Sequence, residues 1–124
     1  MRLLVFGSRT FLDMSFMFKK LDKVLEEFNI TFIIEGESKG ADKLARAWAE
    51  GLGIPVLPFS ADWKKYKYAA GPIRNTQMLK EGKPDWAIGF IDKPISKTKG
   101  SLDMFNKCEA AGVQVTLYYG EMIL

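Results

Sequence analysis

The sequence contains no histidine, a single cysteine and no long apolar run, and each of these absences excludes a class of protein. Without histidine, the chain cannot use imidazole as a general base or as a metal ligand. The lone Cys108 excludes an internal disulfide and a cysteine metal cluster. No stretch approaches the ~20 apolar residues of a membrane-spanning helix. We therefore expect a protein with no metal site, no cofactor and no contact with a membrane.

What is present is typical of a globular domain. The chain has 124 residues, of which 48% are hydrophobic and 27% charged, which suits one domain over residues 1–124. The net charge of +3 is too small to indicate nucleic-acid binding by itself. The apolar start of the chain is too short for a secretory signal and is interrupted at Ser8-Arg9. We interpret it as the first strand of a cytoplasmic protein.

Short apolar runs alternate with helical patterns along the chain. The runs that resemble strands cover residues 2–6, 30–35, 54–59, 85–91 and 113–119. This alternation predicts an α/β, Rossmann-like, three-layer α/β/α sandwich with a mainly parallel five-stranded sheet. The first run is apolar throughout and should be central, whereas Pro55 and Pro58 place the third run at an edge.

The helical patterns suggest several local contacts. Asp13 is a plausible N-cap for the first helix, and Pro72 suits the first position of a later one. Arg46 and Glu50 have the spacing of an i,i+4 ion pair on the second helix. Cys108 lies on the apolar stripe of the last helix, so we expect a core thiol.

The loop from Gly36 to Gly40 joins a predicted strand to a predicted helix. Its glycines would let a ligand approach the backbone, and the unpaired N–H groups of the helix would favour an anion. An ordinary strand-to-helix turn fits the pattern equally well. Asp42 could partner the helix dipole, or it could accept a hydrogen bond from a ribose or from the loop.

Two other segments of the same kind follow strands. Gly7-Ser8-Arg9 follows the first strand and Gly100-Ser101-Leu102-Asp103 follows the fourth. The carboxyl ends of parallel strands meet at one edge of a sheet, so all three loops should converge there. Arg74, near a helix N-terminus, could present its forked donors to a phosphate at that edge, or could instead pair with Asp85.

Residues 61–68 interleave three lysines with three aromatic residues. Such a segment can follow a nucleic-acid backbone and stack bases, although a solvated loop or short helix explains it more simply. The aromatic residues also suggest self-association, most simply as a two-fold homodimer.

Taken together, the motifs resemble those of the YspA-related (cpYpsA-related) branch of the SLOG superfamily. The matching segments, which span nearly the whole chain in order, are Gly7-Ser8-Arg9-Thr10-Phe11, Gly36-x-x-x-Gly40-Ala41-Asp42, Ala61-Asp62-Trp63, Ala70-Gly71-Pro72-Ile73-Arg74-Asn75 and Gly100-Ser101-x-Asp103-Met104. The resemblance implies a site for a nucleotide or nucleotide-derived small molecule, such as a nucleoside phosphate or an ADP-ribose-like molecule, at the C-terminal edge of the sheet. The residues assigned to that ligand site are Gly7, Ser8, Arg9, Gly36, Ser38, Gly40, Asp42, Arg74, Asn75, Gly100 and Ser101.

The superfamily includes the LOG phosphoribohydrolases, whose catalytic loop reads Pro-Gly-Gly-x-Gly-Thr-x-x-Glu. Here Met104 occupies the position of that glutamate, and Asp103 comes one residue early. One residue corresponds to about 100° of rotation on a helix, so LOG-like cleavage of an N-glycosidic bond is not implied. If the protein is a hydrolase, Asp103 and Glu37 are the candidate catalytic carboxylates.

Two functions therefore remain open at the level of sequence, and a purely structural subunit is a third, least favoured alternative because three loops converge. The first is binding of a nucleotide-derived ligand, in order to sense, sequester or hydrolyse it. The second is single-stranded DNA binding, because the DNA-processing protein DprA shares the Arg-Asn pair and the Gly-Ser-Leu turn that match Arg74-Asn75 and Gly100-Ser101-Leu102.

Overall fold

A computed structural model describes residues 1–120 and the backbone of residues 122 and 123. Five parallel strands form the sheet: β1 Arg2–Gly7, β2 Phe32–Glu35, β3 Val56–Pro58, β4 Trp86–Ile91 and β5 Gln114–Tyr119. A two-residue strand, β6 Met122–Ile123, pairs antiparallel with β5. The strand order β3-β2-β1-β4-β5-β6 confirms the predicted Rossmann-like architecture.

Helices cover both faces of the sheet. They are α1 Met14–Glu27, α2 Ala41–Gly51, α3 Trp63–Tyr66, α4 Ala70–Gly82 and α5 Lys99–Ala111. Two 3₁₀ turns, Lys67–Ala69 and Ile95–Lys97, precede α4 and α5. The lysine-aromatic segment contains the short helix α3, which was one of the structures expected for it. Within the described residues, no helix is long and apolar enough to cross a membrane.

The strand β1 lies at the centre of the parallel sheet and supplies side chains to two hydrophobic cores. Leu3 and Val5 pack with residues of α1 and α2, whereas Leu4 and Phe6 pack with residues of α4 and α5. Leu3, Leu4 and Val5 have no exposed surface. The second core includes Cys108, which is fully buried as predicted. The alternation of β1 side chains between the cores explains why its sequence is apolar throughout.

The strand β3 lies at the edge of the parallel sheet beside β2, as Pro55 just before it and Pro58 at its end predict. Proline lacks the N–H that a second neighbouring strand would need, but its carbonyl can still accept a hydrogen bond. The Pro55 carbonyl does so from Ile33 N at 2.9 Å. The carbonyl of Pro55 thus contributes to the pairing of β3 with β2, and the missing N–H of proline costs nothing at the edge of the parallel sheet.

Helix starts agree only partly with the predictions. The Asp13 side chain caps α1 by accepting from Phe16 N at 3.1 Å, as expected. The prediction that Pro72 opens α4 is wrong, because Ala70 already has helical dihedrals and Pro72 is the third residue. Proline is tolerated there because the first-turn N–H groups have no intrahelical acceptor. Gly100 likewise belongs to the first turn of α5 rather than to a preceding loop.

Candidate functional site

A cleft of about 480 Å³ opens at the carboxyl edge of the sheet, beside the ends of β1 and β4. In the sheet, β2 and β3 lie on one side of β1, whereas β4 and β5 lie on its other side. Rossmann-like folds bind ligands where the strand order reverses in this way. The predicted site therefore corresponds to a real concavity, of a size typical for a small-molecule pocket.

Helix N-termini contribute to the walls of this cleft. Gly71 and Pro72 come from the first turn of α4, and Lys99, Gly100 and Ser101 come from the first turn of α5. Neither helix has a side-chain cap at that end within the described part of the chain. Their first-turn N–H groups carry partial positive charge, which favours an anionic ligand.

The loop after β1 is held closely against β4. Ser8 N donates to Phe90 O at 2.9 Å, and Ser8 Oγ accepts from Asp92 N at 3.2 Å. The Ser8 hydroxyl hydrogen is not used in that contact and can still be donated into the cleft. Gly7 has no room for a side chain, because a Cβ would overlap the Phe90 carbonyl and lie 2.7 Å from Ala41 Cβ.

Arg9 and Trp63 form one side of the cleft. The Arg9 guanidinium lies 5.3 Å from the centre of the Trp63 ring, within the range of a cation–π contact. Both side chains are exposed, and Tyr68, which also lines the cleft, is 98% exposed. The cleft thus has an aromatic wall next to a cation.

Arg74 and Asn75 connect the loop after β2 to the start of α5. Arg74 Nη1 donates to Gly36 O, and Arg74 Nε donates to Asn75 Oδ1 at 3.0 Å. Asn75 Nδ2 in turn donates to Gly100 O and to Asp103 Oδ2, at 3.2 Å and 3.0 Å. Arg74 is buried with 8% exposure, and this burial lowers the pKa of its guanidinium.

The alternative in which Arg74 pairs with Asp85 is wrong. Asp85 Oδ2 accepts instead from Arg2 N at 2.8 Å, and Arg2 belongs to β1. Asp85 precedes β4, at the amino edge of the sheet, whereas Arg74 lines the cleft at the opposite edge. The carboxylates that act on the Arg74 charge are Asp42, which has the largest effect, followed by Glu35 and Asp103.

Asp42 is a buried acid in the wall of the cleft. Its Oδ2 accepts from Ser38 N at 3.1 Å, so it stabilises the loop as one of the two sequence hypotheses proposed. Burial raises the pKa of Asp42 to about 7, and the Ser38 hydrogen bond and the Arg74 charge only partly oppose this. Asp42 therefore keeps its proton at pH values at which an ordinary aspartate is ionised.

The prediction of an Arg46–Glu50 ion pair is wrong. Arg46 Nη2 contacts Glu35 Oε2 at 2.6 Å and Glu37 Oε1 at 2.7 Å. Glu35 is completely buried, so its carboxylate requires a cation, whereas Glu50 is exposed and hydrated without one. The two glutamates raise the pKa of Arg46 further, chiefly through the Glu37 hydrogen bond.

A second concavity of about 410 Å³ adjoins the cleft. Gly36 and Glu37 line this second chamber, and Ser60 donates its hydroxyl to Glu37 Oε2. Four residues line both chambers: Arg9, Ser38, Trp63 and Arg74. Glu37 therefore lies beside the main cleft rather than in it.

The candidate catalytic residue Asp103 lies in the main cleft, but its carboxylate is engaged. Oδ2 accepts from Asn75 and also from Lys107 Nζ at 2.9 Å. Met104, at the position of the LOG glutamate, is 1% exposed and packs in the core with Leu4 and Cys108. Met104 also forms part of the cleft wall, so this position offers an apolar surface in place of a carboxylate.

Most predicted site residues meet in the main cleft. These are Gly7, Ser8, Arg9, Ser38, Asp42, Arg74, Asn75, Gly100, Ser101 and Asp103. Gly36 lines the second chamber, and Gly40 lines neither chamber. Gly40 packs against the carbonyls of Ser8 and Arg9, so its contribution is to join two of the loops that shape the site.

Several residues of the cleft were not predicted from the sequence. Lys93 and Lys97 lie between β4 and α5, Lys99 is the first residue of α5, and all three line the cleft. Their clustering in the loop after a strand was a usable signal, because that loop had to lie at the carboxyl edge. Trp63 and Tyr68 were not assigned to the ligand site, although Trp63 belongs to one of the motifs that carry the resemblance. Nothing local in the sequence places either residue beside Arg9.

Comparisons with known proteins agree with this geometry. Residues 1–66, which are more than half of the chain, match the family model described as YspA, cpYpsA-related SLOG family. The chain is also 29% identical over 120 residues to the Gene 61 protein of Mycobacterium phage D29, a match that covers 92% of this chain and 93% of that protein. Membership of such a family is consistent with a nucleotide-related ligand in general. The matched region includes β1, α2 and the glycine loop that joins β2 to α2. Because the match covers more than half of the chain, the protein belongs to the YspA, cpYpsA-related SLOG family.

Proposed function

We propose that this protein binds a nucleotide or a nucleotide-derived small molecule in the main cleft. The observation that carries the proposal is the convergence of cations, uncapped helix N-termini and an aromatic wall at the sheet edge. Arg9, Lys93, Lys97 and Lys99 supply positive charge for phosphate groups, and Trp63 supplies a face on which a base can stack.

Within this proposal each part of the site has a role. The backbone N–H groups at Gly100 and Ser101 and the Ser8 hydroxyl would donate to phosphate oxygens. Asp42 would accept from a ribose hydroxyl while it holds Ser38. Arg74 and Asn75 would keep the loops at the correct separation, and Arg74 would add its charge.

Binding without LOG-like cleavage fits the site best. The position of the LOG glutamate is filled by the buried Met104, and Asp103 is already hydrogen-bonded to Asn75 and Lys107. We therefore favour a sensor or sequestering protein over an N-glycoside hydrolase. Release of ribose 5-phosphate from any member of a nucleoside monophosphate panel would contradict this preference, and its loss in Asp103→Asn would identify Asp103 as catalytic.

Calorimetric titration with nucleoside mono- and diphosphates tests the proposed function. We expect at least one nucleotide to bind, and we expect Lys97→Ala combined with Lys99→Ala to weaken it about tenfold or more, since each charge-assisted contact is worth about 1.5–3 kcal/mol. A matched control is Lys19→Ala combined with Lys23→Ala, on α1 outside the cleft. The proposal fails if no nucleotide binds, or if both double variants bind equally well.

Single-stranded DNA binding is the second candidate. This function is supported by the exposed Tyr68, which could stack on a base and lies close in sequence to Lys64, Lys65 and Lys67. Binding through several phosphates falls steeply with salt, whereas a small ligand held by a few groups responds much less. An oligonucleotide titration at several salt concentrations separates the two functions.

We also propose that the protein is cytoplasmic and forms a homodimer.

A further inference from the structure

Lys107 lies outside both chambers, but it joins the two helices whose N-termini contribute to the wall of the main cleft. Its Nζ donates to Pro72 O, in the first turn of α4, at 2.7 Å and to Asp103 Oδ2, on α5, at 2.9 Å. We propose that Lys107 is a positioning residue for anion binding, which fixes the separation of the two helix N-termini and neutralises the Asp103 carboxylate beside them. This inference rests on the proposed function, because it concerns how the main cleft holds an anion.

The contacts between the two helices are reciprocal. Asn75, on α4, donates to Gly100 O in the first turn of α5 at 3.2 Å, and to Asp103 Oδ2 at 3.0 Å. Lys107, on α5, donates to the first turn of α4. The first turn of each helix is therefore bonded to a side chain of the other helix, and Asp103 Oδ2 is the acceptor that Asn75 and Lys107 share.

The pair formed by Asp103 and Lys107 differs from an ordinary ion pair on a helix surface. Two opposite charges four residues apart on one exposed helix face stabilise it only slightly. Here both side chains are partly buried, each with 29% exposure, and the lysine makes a further hydrogen bond to a second helix. An ammonium group has three donors, so it can make both contacts at once. These contacts give Lys107 a defined position between α4 and α5.

The positive charge of Lys107 matters as well as its hydrogen bonds. Asp103 lines the main cleft together with Gly100 and Ser101 of the first turn of α5. A carboxylate at this end of a helix opposes the binding of an anion to the same N–H groups. The Lys107 ammonium, 2.9 Å from Asp103 Oδ2, offsets that charge. Loss of Lys107 would therefore weaken anion binding through the charge of Asp103 and through the separation of the helices.

Calorimetric titration of Lys107 variants tests the inference, with AMP, ADP and the corresponding guanosine, cytidine and uridine nucleotides as probes. Lys107→Met keeps the length of the side chain and removes its charge and donors. We expect it to weaken each nucleotide that binds the unaltered protein by about fivefold or more. Lys107→Arg should restore most of the affinity, because a guanidinium can also donate to two acceptors. Lys80→Met, at an exposed position in the last turn of α4, is the matched control and should leave affinity unchanged.

Asp103→Asn tests the effect of charge and keeps the experiment decisive if Lys107→Met does not fold. Asparagine retains an acceptor for Asn75 and Lys107 but carries no charge, so this variant should bind nucleotides more tightly than the unaltered protein. Lys107→Met should cause a smaller loss of affinity in the Asp103→Asn background, because the two residues act together. Urea denaturation of every variant separates a change in affinity from a change in stability.

Three results would each overturn the inference alone. They are unchanged affinity in a folded Lys107→Met protein, weaker binding by Asp103→Asn, and an equal effect of Lys107→Met with and without the Asp103 charge. A purely structural role for Lys107 would give the first of these together with a lower free energy of unfolding. If the unaltered protein binds none of the nucleotides, the proposed function fails together with the inference.

Discussion

The buried guanidinium of Arg74 stabilises the fold as well as lining the cleft. In Arg74→Ala the Gly36 carbonyl loses its donor, and an unsatisfied buried carbonyl costs about 1–3 kcal/mol. We therefore expect a lower free energy of unfolding together with weaker nucleotide binding. Urea denaturation measures the first quantity and calorimetry the second.

A second arginine of the site provides the comparison. Arg9 is exposed and contacts Trp63, so Arg9→Ala should weaken nucleotide binding and leave stability nearly unchanged. Arg74→Lys should rescue Arg74→Ala incompletely, because an ammonium cannot donate in two directions from one plane. Unchanged stability in Arg74→Ala would contradict the structural role given to its bond with Gly36.

The raised pKa of Asp42 predicts that stability depends on pH. With a pKa of 3.8 in the unfolded chain and about 7 in the folded protein, the folded state binds more protons between these values. The contribution of Asp42 to the free energy of unfolding is therefore fully present below pH 3.8. It is lost as the pH rises towards 7 and through it. Asp42→Asn keeps an oxygen for Ser38 N but cannot ionise, so it should be more stable than the unaltered protein above pH 7, by up to about 4 kcal/mol.

Urea denaturation of the unaltered protein and of Asp42→Asn, at intervals from pH 4 to pH 8, measures the difference between their free energies of unfolding. The titration of all other groups cancels in that difference. Glu26→Gln, at an exposed position of α1, is the control and should give a difference that does not vary with pH. A constant difference for Asp42→Asn would show that Asp42 ionises normally in the folded protein.

Among the elements, the loops after β1 and β2 depend on a glycine that fits between them. Gly40 has a φ of 74°, and a Cβ there would overlap the carbonyls of Ser8 and Arg9. Gly40→Ala should therefore destabilise the protein by several kcal/mol and disrupt nucleotide binding. Gly100, in the first turn of α5, has open space where a Cβ would lie, with no neighbouring atom within 4 Å. Gly100→Ala should therefore leave stability unchanged or raise it by up to about 1 kcal/mol.

Thermal unfolding of the two glycine variants, followed by circular dichroism, checks this contrast. Both substitutions add one methyl group to a loop or helix end of the same site, and they differ only in the space and the backbone angle available. Similar melting temperatures for the two variants would show that the loop after β2 can move away from Ser8 at little cost.

The elements were predictable because their signals are local. The continuous apolar run of β1 and the prolines beside β3 report burial and edge position directly. The convergence of three loops followed from strand direction alone. The partner of Arg46 was not predictable, because helical spacing favours Glu50 whereas the need of the buried Glu35 for a cation depends on the folded sheet. The second chamber could not be predicted either, since its lining brings together Arg9 and Trp63, which are far apart in the sequence.

For the whole molecule, the exposed aromatic residues of α3 and the following turn predict self-association. Trp63, Tyr66 and Tyr68 are 47%, 38% and 98% exposed. Sedimentation at micromolar concentration should show a dimer, and Tyr68→Ser should shift it towards the 14.0 kDa monomer. Leu52→Ser, at an exposed apolar residue after α2, is the control and should leave the dimer intact. A protein that sediments only as a monomer would contradict this prediction.

The burial of Cys108 makes this protein its own reporter of unfolding. The thiol is the only one in the chain, it has no exposed surface, and burial raises its pKa to about 11. Alkylation by iodoacetamide therefore requires an opening event that separates α5 from the sheet. The labelling rate, read by mass spectrometry, measures the fraction of molecules that are open. A ligand that binds only the closed protein should slow the labelling by a factor of one plus the ligand concentration divided by its Kd. Affinities in the cleft can thus be measured without attaching a dye or altering a residue.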